Sequence, residues 1–154
     1  MPQARASITI RGNADQIFAT TNDIARWPEL FKEYSHARVL SLQRDGRFAK
    51  LEFELTNEEG QTWQSWRILD FQERVAIAQR GTPKFPFLYM HLTWSYEPVE
   101  DGVLMTWIQD FEMDPKAPVT NEQALARMVN HMQANQAHFK QVLESQSQMV
   151  ADTL

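Results

Sequence analysis

The chain has 154 residues, of which 43% are hydrophobic and 23% charged, with a formal net charge of -5 at neutral pH. This size and composition predict one folded domain over residues 1–154 with a single sizeable core, and the net acidity argues against nucleic acid, whose phosphates need a basic surface. The chain has no cysteine, which excludes disulfides and thiolate chemistry; the first twenty residues lack a signal peptide's apolar run and no segment approaches a membrane span, so a cytoplasmic protein without a membrane partner is expected.

The short β-branched run 6–11, which ends at Gly12, predicts a first strand. Asn13 and Gln16 have capping-box spacing, and Ile17 and Phe18 supply apolar positions, so a short helix is predicted over 14–21. A second short helix or turn over 24–31 carries Trp27 and Leu30, with Pro28 placed as in a helix's first turn. From His36 the apolar period becomes two: strands over 36–43 and 47–55 flank Asp45-Gly46, a hairpin signal, and Leu51, Phe53 and Leu55 alternate with Lys50, Glu52 and Glu54.

The next strand, 61–69, reads QTWQSWRIL. Trp63, Ser65, Arg67 and Leu69 share one face, and Thr62, Gln64, Trp66 and Ile68 the other. Neither face is plainly the core. If the first is interior, Arg67 is a buried cation that needs a partner or ligand; if the second is, Arg67 is surface, which is where arginine is usually found. A strand over 74–80, a proline-broken loop over 81–86 and a strand pair over 87–96 and 103–113 follow. In the last strand Met105, Trp107, Gln109, Phe111 and Met113 form one row, with a single amide among apolar side chains. Thr120 and Gln123 make a second capping box, and Leu125, Met128, Val129, Met132, Phe139, Val142 and Leu143 recur at helical spacing, which predicts a long amphipathic helix over 121–147 with a fraying tail from Gln148. The result is an α+β fold: a strand, two short helices, six antiparallel strands and a long helix, most simply a curved seven-stranded sheet wrapped around that helix.

The residues alone carry no familiar catalytic motif. Nine Phe and five Trp suit either a dense core or an apolar cavity. His131 and His138, seven residues apart on one helix face, read as polar-face residues rather than metal ligands, and no metal is expected. His91 interrupts an apolar strand, and Tyr34 is either wall packing or a phenol donor.

Four motifs in order are more informative together: TNDIARWPELFKEY at 21–34, W-x-S-x-R at 63–67, PFLYMHLTWSY at 86–96 and MTWIQDFEMDPKAPV at 105–119. The combination resembles the single-domain aromatase/cyclases of bacterial type II polyketide synthesis, the tetracenomycin and spore-pigment enzymes among them, within the START-like, helix-grip superfamily. The resemblance implies a deep cavity between sheet and helix. It implies that the odd-numbered face of 61–69 is the cavity wall, so that Arg67 is buried, and that Trp66 needs cover outside. By position it implies catalytic roles for Arg67 and Tyr34, and substrate contacts from Arg80, Trp27, Trp63, Ser65, Phe87, Met90, His91, Trp94, Trp107 and Gln109. His91 replaces the relatives' asparagine.

The implied activity is cofactor-independent: a poly-β-ketone is folded, closed by a regiospecific aldol reaction and dehydrated to an aromatic ring, in antibiotic or pigment biosynthesis. Arg67 would stabilise the enolate or polarise the carbonyl, and Tyr34 would donate to oxygen. The implied partners are an acyl carrier protein that delivers the chain and the aromatic polyketide product. Since carriers are usually acidic, a basic rim at Lys32 or Lys84 is expected. The competing reading is a non-catalytic carrier of a lipid, quinone or other hydrophobic ligand.

Overall fold

The computed structural model describes residues 2–153. Strand β1 (Gln3–Ile10) is followed by helix α1 (Ala14–Thr21), a turn of 3-10 helix (Ile24–Arg26) and the four-residue helix α2 (Trp27–Leu30). Six strands follow, β2 (Tyr34–Asp45), β3 (Phe48–Asn57), β4 (Thr62–Asp70), β5 (Val75–Arg80), β6 (Phe87–Val99) and β7 (Gly102–Met113), and then helix α3 (Asn121–Thr153).

The strands form one antiparallel sheet in the order β1-β7-β6-β5-β4-β3-β2. β2 to β7 are a meander, and β1 closes onto β7. β1 begins at Gln3 rather than at residue 6, because its ladder extends to the Gln3–Asp110 pair with Ala4 and Ala6 buried beneath it. The expected second helix divides at Trp27 into the 3-10 turn and α2. At the start of α1 the Asn13 side chain accepts from the Gln16 N–H at 3.0 Å. The Thr120–Gln123 box is reciprocal, at 3.2 and 3.0 Å. Backbone helix continues through Thr153, where the sequence pattern predicts an end at 147.

Alternation on β3 buries Leu51, Phe53 and Leu55 and turns Lys50 and Glu52 outward. α3 lays Met132, Phe139 and Leu143 on this inner face. Phe139 meets Phe31, Trp94 and Trp107 edge to face, with ring centroids 4.8 to 6.0 Å apart. Polar contacts fix the helix against edge strand β1: Gln136 donates to Ala6 O at 2.9 Å and Lys140 to Thr9 O at 2.7 Å. With α3 held against this edge strand, α1 against β6 and β7, and α2 against β2 at the other edge, the inner face is left partly unfilled.

Candidate active site

The unfilled space is a cavity of about 390 Å³ between the sheet, α2 and α3. Trp27, Tyr34, Trp63, Ser65, Arg80, Phe87, Met90, Trp94, Trp107 and Gln109 all line it, so ten of the sequence-predicted positions come together. Phe87 and Met90 reach the same face because β6 shifts register against β7 between Phe87 and Tyr89. The structure adds Phe31, Phe53 and Leu55 to the wall, and Met128 and Met132 from α3. The exposed Glu58, Glu59 and His131 mark the opening, together with Glu33 and Asn135.

The walls are stacked indoles. Trp94 and Trp107 lie parallel, with centroids 4.2 Å apart, and Trp27 stacks on Trp94 at 5.8 Å. Tyr34 lies over Trp27 and meets Trp63 edge to face, both at 6.0 Å. The buried indole N–H groups of Trp94 and Trp107 find no acceptor among the described residues. Burial, and then the adjacent Glu33 carboxylate, hold the Tyr34 phenol well above the ordinary tyrosine value, so Tyr34 is a neutral donor at pH 7. Glu33 accepts from Asn135 Nδ2 at 3.4 Å and lies 3.9 Å from His131 Nδ1. Burial raises its carboxyl above the usual range, against the opposing effect of His131.

Arg80 is the cation in the cavity wall. Its guanidinium donates to Pro83 O at 3.0 Å and Phe85 O at 3.2 Å in the proline loop, and it lies 4.5 Å over Trp63 and 5.4 Å over Phe87. Arg67 is placed differently from expectation. Its face of β4 is interior, and it is only 1% exposed, which overturns the surface alternative. Yet it is not in the cavity lining. Trp63 and Ser65 reach the cavity, but one pair further along the strand the side chain is covered by Asn22, Trp27 and Trp94. Arg67 therefore lies behind the indoles, with its guanidinium carbon 4.1 Å from the Trp94 centroid and 5.2 Å from that of Trp27. Nε donates to Asn22 Oδ1 at 2.8 Å, and Nη2 has no partner among the described residues.

His91 is a correction. It is exposed on the outer face, opposite in direction to Met90 and Leu92, with its ring 5.1 Å from that of Tyr89. Strand alternation requires this once Met90 and Trp94 face inward. The expected basic rim is also absent from the lining: Lys32 and Lys84 are exposed away from it, and the charged residues at the opening are mainly carboxylates. His138 approaches Glu29 O at 3.1 Å, and among the described residues no cluster of three or more His, Asp and Glu could hold a metal ion. Trp66 is half-buried on the outer face. No helix among the described residues is long and apolar enough to cross a membrane.

Sequence reasoning missed Glu33 and Asn22. Both lie inside the TNDIARWPELFKEY motif, so position was available as a signal, but their roles depend on which distant strands pack against them.

The model of a family described as polyketide cyclase/dehydrase and lipid transport matches residues 1–144. A Streptomyces cyaneus protein provisionally named a polyketide cyclase is 42% identical over 118 residues, which cover 73% of this chain and 74% of that protein. The granaticin polyketide synthase bifunctional cyclase/dehydratase of Streptomyces violaceoruber is 29% identical over 126 residues, 79% of this chain but 38% of that protein. Among solved structures, the Zhui aromatase/cyclase from Streptomyces sp. R1128 superimposes with a TM-score of 0.70, covering 95% of this chain and 93% of that one at 14% identity, a likeness of fold.

Proposed function

The chain belongs to the polyketide cyclase/dehydrase and lipid-transport family, and from that premise we propose that it is an aromatase/cyclase acting on a carrier-bound poly-β-ketone. The observation that carries this reading is the pairing of flat indole walls with hydrogen-bond donors: Arg80, the neutral Tyr34 phenol and the Gln109 amide face one cavity. A chain of alternating carbonyls offers acceptors at regular intervals, and its partly dehydrated rings are flat. An aliphatic lipid chain in this cavity would leave those donors unpaired.

In this reading the cavity first folds the polyketide so that one methylene faces one carbonyl. Glu33, whose raised carboxyl pKa makes it a stronger base when ionised, takes a methylene proton. The carbanion's carbon bonds to the carbonyl carbon, and the new alkoxide oxygen takes a proton relayed through Tyr34. Arg80 stabilises the charge developing on oxygen, with Arg67 contributing from behind the indoles. Loss of the hydroxyl with a neighbouring proton, as water, gives a cyclic enone, and enolisation of the remaining ring ketones completes the aromatic ring. The stacked tryptophans exclude solvent and hold the planar product.

Co-expression with a minimal polyketide synthase tests the proposal. The expected outcome is a shift from the mixture of spontaneous shunt products to one regiospecific aromatic product, and Tyr34→Phe should lower that product by about 10²-fold. An unaltered shunt mixture alongside tight, unselective lipid binding would replace this reading with that of a carrier.

A further inference from the structure

Arg67 is a fully buried cation with no carboxylate beside it. None of the ion pairs among the described residues includes it. Among the described residues its one hydrogen-bond partner is a neutral amide, Asn22, which accepts from Nε at 2.8 Å. Asn22 is itself fixed: its Nδ2 donates to Phe18 O at 2.9 Å and to the Tyr96 hydroxyl at 3.2 Å, and Tyr96 is joined to Thr21 Oγ1 at 2.5 Å. The titratable groups facing Arg67 are Tyr96 from β6 and Tyr34 from β2. Burial pushes Tyr96 up to about 12 and holds Tyr34 well above its ordinary value, so neither supplies negative charge. The remaining neighbours are the rings of Trp27 and Trp94, both of which belong to the cavity wall; the parallel Trp107 indole lies 4.2 Å from Trp94.

An aspartate at position 22 would keep the acceptor for Nε and neutralise the cation, which is how buried arginines are ordinarily accommodated. The amide supplies the orientation without the charge. We propose that Asn22 is a positioning residue that holds Arg67 as an uncompensated cation against the indoles of the cavity wall, so that the cavity prefers an anionic oxygen, the enolate or phenolate of its substrate, over the neutral form. The C-terminal end of α1, whose Phe18 carbonyl anchors Asn22, contributes only dipoles to the balance. The proposal deepens the cyclase reading and rests on it for the identity of the anion, but the preference for negative charge can be measured without a polyketide.

The probe is 4-nitrophenol, a flat phenol whose ionised form is read by its visible absorbance. Titration of the probe bound to the full chain is expected to show phenolate favoured over phenol relative to free solution. Asn22→Asp should lower that preference by about tenfold, equal to one pH unit in the bound probe's midpoint, with an unchanged or higher thermal midpoint. Arg80 is intact in both proteins, so its contribution cancels. A purely structural Asn22 predicts the same phenolate preference in both, and that result overturns the proposal. Should Asn22→Asp fail to fold, Arg67→Met serves instead: loss of the preference supports the proposal, and its retention overturns it. A preference that is present and lost on mutation, in a protein that never alters shunt products, upholds the anion site and removes the cyclase reading.

Discussion

A buried guanidinium without a counter-ion disfavours folding, and at Arg67 the size of that effect can be bounded. Burial lowers its pKa from the ordinary arginine value to about 10, which corresponds to about 3 kcal/mol against the folded state at neutral pH. The sign follows from proton counts. Below pH 10 the folded and unfolded chains both hold the proton, and the full penalty is present; above it the folded chain releases the proton first, so the penalty is relieved as pH rises. Arg67→Met removes the cation but strands Asn22 Oδ1, an acceptor worth about 1–3 kcal/mol when left unpaired. The expected result is a gain of about 0–2 kcal/mol in urea unfolding at pH 7, shrinking as the pH is raised past 10. A variant destabilised by several kcal/mol at pH 7 would make Arg67 a structural residue, since its removal would then have broken more than it relieved.

The elements that position the site differ in how far local chemistry specifies them. At Gly102, φ is 145°, and a Cβ there would lie 2.2 Å from Ile10 O, a backbone atom with little freedom to move. Gly102→Ala is therefore expected to cost about 2–4 kcal/mol by urea unfolding and to loosen the β1–β7 ladder that carries Trp107 and Gln109; a change under about 0.5 kcal/mol would show that the turn shifts freely. Helix α1 was legible at both ends, because Asn13 and the apolar Ile17 and Phe18 act within one turn of one another. β3 was equally legible, its alternation being strict. The register shift in β6 was not, since a bulge depends on the partner strand, and it is what brings Phe87 beside Met90. β4 shows the limit most clearly: two apolar-and-polar faces look alike locally, and only family resemblance chose the right one. Even then the resemblance set Arg67 in the cavity wall, because its cover by Asn22 and Trp27 comes from packing between distant residues, Asn22 and Arg67 being 45 positions apart.

At the scale of the whole molecule, charge bears on how a tethered substrate arrives. The chain carries a net charge of -5, and the cavity opens beside Glu33, Glu58 and Glu59, with Lys32 and Lys84 outside its lining. If the polyketide is delivered by an acidic carrier protein, the two surfaces repel, and long-range attraction cannot steer the encounter. Screening should then help rather than hinder. The Debye length falls to about 8 Å at physiological ionic strength, so raising salt from about 20 to about 200 mM is expected to increase kcat/KM for carrier-bound substrate by about twofold to threefold, while an untethered mimic shows little change. Glu58→Gln with Glu59→Gln should reproduce much of that gain at low salt, because it removes the repulsion at the opening while leaving the cavity wall unchanged. A kcat/KM that instead falls as salt rises would mean that a basic patch away from the opening, at Arg38 or Lys84 for example, receives the carrier and that the prosthetic arm bridges the distance to the cavity.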